Sequence, residues 1–366
     1  MILRPHSEAE LADAIRGAGG PLRIVGGGTR FIGQTGPTEV LETGGLTGVT
    51  LYEPGALTLV ARAGTQLAEI EALLASEGQR LPFEVPDMRG LLGRRGNSTL
   101  GGVVASNASG PRRVQVGACR DSLIGVRFVD GSGTVIKNGG RVMKNVTGYD
   151  LVKLMAGSLG TLGVLTEVSF KVLPKPEAAA TLTITGLDDA RAVAAMSAAL
   201  SSPYDVTGAA HLPGQGTYLR IEGFAASVDY RVAQLTSLLA NFGGAVRDED
   251  GANRWADIRD VASFHGKDGD VWRVSVKPSE APMLAARARA HALAYDWGGG
   301  LIWILVAPGT DLRASIGPFA GHATRVRATG KDGIASFHPE APVLAALAKG
   351  LRAKFDPRGV LNPGLI

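Results

Sequence analysis

Two glycine-rich stretches, Val25-Gly26-Gly27-Gly28-Thr29-Arg30 and Gly96-Asn97-Ser98-Thr99-Leu100-Gly101-Gly102, lie about seventy residues apart. Residues without a Cβ let backbone N–H groups close on a ligand, and a pyrophosphate is the ligand that most often needs such an approach. The first stretch lacks the full G-x-G-x-x-G leading into a long helix, and G-x-x-x-x-G-K-[ST] is absent from the chain. Two such loops in one domain point to a long anionic cofactor gripped from two sides. That is the requirement of a flavin dinucleotide rather than of ATP or a nicotinamide.

These loops need rigid elements to hold them. Ser7 caps a helix running to Ile15, with Glu10 at the capping-box position. Leu22-Arg23-Ile24-Val25 is a short strand that delivers the first loop. A second strand is expected over Leu57–Gly64 and an amphipathic helix over Leu67–Glu77, and the Pro- and Gly-rich segment Leu81–Gly96 leads into the second loop. Ser122–Val129 alternates as a strand, and Asp130-Gly131-Ser132-Gly133 turns it into Val135-Ile136-Lys137. Leu151–Ala156 reads as a helix and Gly160–Leu173 as a loop and strand.

Pro174-Lys175-Pro176-Glu177 marks a domain boundary. Beyond it the strands Ala180–Thr185, Tyr218–Gly223, Val271–Val276 and Leu301–Val306 alternate with helices over Ala190–Leu200, Val228–Phe242 and Met283–Ala294. A last helix, Val343–Phe355, runs into the rigid turn Asp356–Gly364.

Composition narrows the class. A chain of 366 residues is long for one core and implies two domains. Hydrophobic residues make up 45% and charged ones 20%, ordinary for a globular protein, while 51 glycines fit a loop-rich ligand-binding architecture. No run approaches the ~18 apolar residues of a membrane span, and Met1–His6 has no signal-peptide pattern. A single cysteine, Cys119, excludes an internal disulfide and a chain-borne iron–sulfur cluster. The cytoplasm is the expected compartment. Net charge is +4 with scattered arginines and 5% aromatics, so the stacking platform of nucleic-acid binding is missing and the excess suits an anionic cofactor and an acidic substrate.

Four blocks in this order carry a family resemblance: Val25–Arg30, Ser98–Gly110, Gly157–Pro174 and Phe355–Gly364. Together they resemble the flavoprotein superfamily typified by vanillyl-alcohol oxidase, with its p-cresol methylhydroxylase (PCMH)-type FAD-binding domain. The run Val142–Leu151 and the block Ser109-Gly110-Pro111-Arg112-Arg113 are similar to the FAD-binding subunits of bacterial glycolate oxidases.

The resemblance implies an α+β fold. It comprises a two-subdomain FAD domain over 1–174, divided near 55, a small α+β cap over 175–329, and a segment over 330–366 returning to the FAD domain. It implies that Gly26, Gly27, Gly28, Thr29 and Arg30 hold the pyrophosphate, and that Thr99, Gly101, Gly102, Ser106, Ser109 and Gly110 lie along pyrophosphate and flavin. Gly160, Gly163 and Val164 would wrap the ribityl and adenine parts, with Asp121 and Asn362 as further contacts. Some relatives attach FAD through a histidine after the first glycine run; Thr29 stands there, so dissociable FAD is expected, and Cys119 reads as a buried core thiol. Relatives often carry a basic residue after Asn-Pro-Gly, whereas here Leu365 follows.

Oxidising a 2-hydroxy acid requires a hydride acceptor, a base for the hydroxyl proton and a cation for the carboxylate. The six histidines His6, His211, His265, His291, His322 and His338 show no His-x-His or His-x-x-x-His spacing, so no metal site is expected. His322 with Arg325 and Arg327 is the base-plus-cation set. His338, before Pro339, suits capping or packing. Lys144 either faces the flavin, where it would stabilise the reduced anion, or pairs with Asp150.

The lead expectation is the FAD-carrying subunit of a glycolate dehydrogenase complex. Its implied partners are a larger homologous flavoprotein subunit and an iron–sulfur subunit, with peripheral attachment at the inner membrane through them. A self-sufficient FAD-dependent dehydrogenase of the D-lactate type, and a non-catalytic flavin-carrying assembly subunit, stay open beside it.

Overall fold

The computed structural model describes residues 2–33, 39–140 and 148–365. The N-terminal helix Glu8–Arg16 begins as its sequence dictates. Ser7 Oγ accepts from Glu10 N at 3.1 Å, and the Glu10 carboxylate accepts from His6 N at 2.9 Å. Leu11, Ala12 and Ile15 bury one face of it.

That face covers a parallel sheet ordered Ile2–Leu3, Glu39–Glu42, Leu22–Val25. The C-terminus returns to the same sheet. Leu361 bridges Leu22 in parallel and Asn362 N donates to Leu22 O at 2.9 Å.

A five-stranded antiparallel sheet follows, ordered Val49–Glu53, Thr58–Arg62, Val164–Lys171, Leu123–Val129, Val135–Gly139. Leu59, Phe128 and Phe170 are fully buried in its core, together with Leu100 and Val103 of the short helix Leu100–Ala105.

An eight-stranded antiparallel sheet spans the next part of the chain. Its order is Val246–Arg247, Ala178–Ile184, Gly216–Gly223, Val206–Leu212, Ala292–Asp296, Leu301–Val306, Asp270–Val276, Gly321–Arg327. Both faces are buried. Ile302, Ile304 and Val306 enter one core under the helices Asp189–Leu200 and Ala225–Leu238, while Leu301, Trp303 and Leu305 enter another with Met88, Leu91 and Trp255. Two covered faces explain why Leu301–Val306 is an unbroken apolar run rather than an alternating one.

The expected helix Met283–Ala294 needs correction. The helix is Ala281–Arg287; Arg289 then takes a φ of 48°, and Ala292–Asp296 is a strand. Alanine-rich composition favours helix, but Ala294 and Tyr295 point into opposite cores, and only a strand can do that. Strands Val206–Leu212 and Gly321–Arg327, and helices Leu100–Ala105 and Gly251–Asp260, were likewise not expected from the sequence. Among the described residues no helix is long and apolar enough to cross a membrane.

Candidate cofactor and substrate site

The two glycine loops meet. The strand Leu22–Val25 ends in Gly26–Gly28, and a Cβ on Gly27 would sit 1.5 Å from the Asn97 carbonyl oxygen. A Cβ on Gly26 would lie 2.4 Å from Thr99 Oγ1. These two glycines are therefore required where one loop packs on the other, before any ligand is considered. Thr99 caps the helix Leu100–Ala105, its Oγ1 accepting from Gly102 N at 3.4 Å.

Between the loops lies a cavity that opens to solvent. Gly26, Gly27, Gly28, Thr29 and Arg30 line it from one side; Thr99, Gly101, Gly102 and Ser106 line it from another. Gly160, Gly163, Val164 and Asn362 complete the wall. Asn362 also ties the chain end to this wall: its Oδ1 accepts from Ile24 N at 2.8 Å and its Nδ2 donates to Leu159 O at 2.8 Å.

The lining is short of partners. Among the described residues the backbone N–H groups of Gly27, Gly28 and Thr29 donate no hydrogen bond. Arg23 Nε, Arg30 Nε and Ser158 Oγ, all on lining residues, are buried without a partner. Arg30 donates to Ser98 Oγ at 2.9 Å and to Pro86 O at 3.2 Å, and makes no ion pair among the described residues. Burial pushes its pKa down to about 10, against the pull of Asp87 and Asp260, so it stays charged at neutral pH. Free amide donors and an unpaired buried guanidinium are what a pyrophosphate satisfies. The residues present fit FAD.

Three expected contacts lie outside this cavity. Ser109 Oγ accepts from Arg113 Nη1 at 3.0 Å, and Gly110 O accepts from Trp297 Nε1 at 3.0 Å. Asp121 accepts from Ala118 N at 2.7 Å and closes its own helical turn. Cys119 is fully buried and its thiol is pushed up by burial, so no thiolate forms there.

The expected base-plus-cation set does not assemble as a unit. Arg325 is committed to Asp332 at 2.5 Å and to the buried Asp270 at 3.3 Å. Arg327 donates to Leu91 O, Phe264 O, Lys267 O and Gly269 O. His322 stands apart from both. It lies opposite Ser275 on the edge strand, on the same sheet face as Arg273 and Trp303. His322 is exposed; the partial desolvation by its neighbours first, then Arg273, His338 and Arg113, lower its pKa, so the imidazole is neutral at neutral pH and able to take a proton. His338 Nδ1 accepts from Ala323 N at 3.2 Å, a packing role. Lys144 lies outside the described residues. Among the described residues no cluster could hold a metal ion.

The sequence also missed the seam between the eight-stranded sheet and the rest. Glu84 binds Arg220 at 2.8 and 3.0 Å, and Glu222 binds Arg80 at 3.1 Å and also pairs with Arg112. Burial would raise the Glu222 pKa, but Arg220, Arg112 and Arg80 outweigh it and hold the carboxyl at about 2. The apolar part of the seam joins Met88 and Leu91 to Trp303 and Val326, with Ile32 and Trp297 packed against them; Ile32 also lines the cavity.

The architecture is a PCMH-type fold. The family described as FAD binding domain matches residues 1–139. Superposition on p-cresol methylhydroxylase gives a TM-score of 0.74 at 13% identity, covering 99% of this chain and 88% of that one, a likeness of fold alone. Glycolate oxidase subunit GlcE of Escherichia coli (strain K12) is 35% identical over 347 residues, 94% of this chain and 92% of that one. Glycolate oxidase subunit GlcD of Bacillus subtilis (strain 168) is 34% identical over 165 residues, 44% of this chain and 34% of that one. The chain belongs to the GlcE family of glycolate oxidase subunits.

Proposed function

We propose that this protein is the FAD-binding subunit of a glycolate (2-hydroxy acid) dehydrogenase complex, oxidising glycolate to glyoxylate and passing electrons to partner subunits. The observation that carries the reading is the cavity between the two glycine loops, with its free amide donors and the unpaired Arg30. Likeness to GlcE along nearly the whole chain supplies the substrate class.

Bound FAD supplies the hydride acceptor for the carbon that bears the hydroxyl. The chain's own residues do the rest. The loops hold the pyrophosphate, Arg30 neutralises it, and His322, neutral at physiological pH, accepts the hydroxyl proton as the 2-oxo acid forms. Thr29 in the first loop, the buried Cys119, and a described lining without histidine, cysteine or tyrosine support non-covalent attachment.

In this reading residues 1–174 and 330–366 form the FAD domain and 175–329 the cap. The partners are a larger homologous flavoprotein subunit, for which the likeness to GlcD speaks, and an iron–sulfur subunit that takes the electrons onward. One surface supports assembly: the helix Pro342–Phe355 buries none of its residues and exposes Val343, Leu344 and Leu347. The complex works in the cytoplasm, held at the inner face of the membrane through those partners.

Anaerobic titration with glycolate, followed at the flavin absorbance, tests the proposal. The flavin of the chain assembled with its partners is expected to bleach. A flavin that stays oxidised both alone and in the complex contradicts it, and bleaching of the isolated chain would favour a self-sufficient dehydrogenase.

A further inference from the structure

Among the described residues the seam holds a pair of arginines that no carboxylate reaches in an ion pair. Arg113 Cζ lies 4.7 Å and Arg273 Cζ 4.9 Å from the ring of Trp297, so one indole carries two guanidiniums. The arrangement is fixed from several directions. Trp297 Nε1 donates to Gly110 O at 3.0 Å, Trp297 N donates to Asp296 Oδ1 at 2.7 Å, and Arg113 Nη1 donates to Ser109 Oγ at 3.0 Å. Arg113 follows the Ser109–Gly110 block on the FAD side; Arg273 comes from the eight-stranded sheet.

The fully buried arginines of this seam are matched: Arg112 and Arg220 with Glu84 and Glu222. Among the described residues neither Arg113 nor Arg273 has an ion-pair partner. Asp296 is the acidic group that Arg273 feels. Burial pushes that carboxyl up to about 7, and Asp121 is the acidic group that Arg113 feels; neither acid comes within ion-pairing distance. Burial first and Arg113 second lower the Arg273 pKa to about 10, which leaves it charged. Two like charges half withdrawn from water and gathered on one ring repel each other, and an anion between them relieves the repulsion.

We propose that Arg113 and Arg273, set on either side of the seam and held by Trp297, form the carboxylate-binding end of the substrate site. The inference rests on the reading of the chain as a 2-hydroxy acid dehydrogenase and assigns the place of the acid group. Planar guanidinium forks match a carboxylate in a way a lysine does not. His322 lies on the neighbouring strand and the same sheet face as Arg273, which puts a proton acceptor beside the anchored acid.

The test uses the full chain loaded with FAD and oxalate as the probe, with binding read by calorimetry and by perturbation of the flavin spectrum. Arg113→Gln and Arg273→Gln are each expected to weaken oxalate binding by at least about tenfold, with FAD content per chain unchanged. Arg113→Lys and Arg273→Lys are expected to fall between, and they decide the matter if a Gln variant fails to fold. Oxalate binding equal to wild type in the variants overturns the assignment. If glycolate still bleaches the wild-type flavin in that case, the dehydrogenase reading stands and only the arginine pair falls. A wild-type protein that neither binds oxalate nor is bleached by glycolate, alone or in its complex, overturns both.

Discussion

Arg30 and Arg325 show how burial alone misleads at the level of a single residue. Both are arginines in partly enclosed surroundings, and the sequence offers no way to tell them apart. Arg325 is answered by Asp270 and Asp332, carboxylates brought in by the fold, so its charge is matched within the protein. Among the described residues Arg30 is answered by Ser98 Oγ and the Pro86 carbonyl, neither of them a carboxylate, and its Nε is orphaned in the cavity wall. An unpaired buried charge is costly, and an anion removes that cost. Arg30→Gln is therefore expected to raise the FAD dissociation constant by roughly tenfold to a hundredfold, the worth of a hydrogen bond to a charged group. Equilibrium titration of apoprotein with FAD checks this; an unchanged constant would remove Arg30 from the cofactor site. The sequence pointed to Arg30 because it adjoins the glycines. It could not point to Arg273, whose counterpart Arg113 and platform Trp297 are distant in the chain and meet only across the seam.

At the level of elements the glycine loops were legible, and the reason is local. Three successive glycines after a β-branched run can hardly be anything but a strand-to-loop exit. What the sequence did not show is that Gly26 and Gly27 serve the contact between loops as much as the ligand. Gly27→Ala would drive a Cβ to within 1.5 Å of the Asn97 carbonyl oxygen and force the two loops apart. The expected outcome is a lowered Tm together with loss of bound flavin, read by thermal denaturation and by absorbance on the same sample. Retention of both would show that the loops can separate without cost. The helix expected over Met283–Ala294 failed for the opposite reason. Helix propensity is a local preference, and the pull of Ala294 and Tyr295 into two different cores is a tertiary one that overrode it.

Across the whole molecule, the eight-stranded sheet is fastened to the rest by the Glu84, Glu222, Arg80, Arg112 and Arg220 network and by the apolar seam around Trp303. Its members were visible in the sequence as ordinary charges; their mutual approach depends on every strand register between them. Glu222 has a folded pKa of about 2 against an ordinary value of 4.5. Its stabilising contribution is thus complete above the ordinary value and is lost as pH falls toward the folded one. Glu222→Gln leaves Arg112 and Arg80 facing a neutral group and is expected to cost about 3–5 kcal/mol near neutral pH. Stability measured by urea denaturation should then fall less steeply on acidification in the variant than in the wild type. Parallel pH profiles for the two proteins would show that Glu222 does not fasten the seam.

Everything about the function depends on one molecule of flavin lying in the cavity between the two loops. The most direct measurement is the flavin content of the purified chain after saturation with FAD and gel filtration, followed by acid precipitation. Close to one FAD per chain is expected before precipitation, and all of it free in the supernatant afterwards. A colourless protein, or flavin that stays with the pellet, would contradict it.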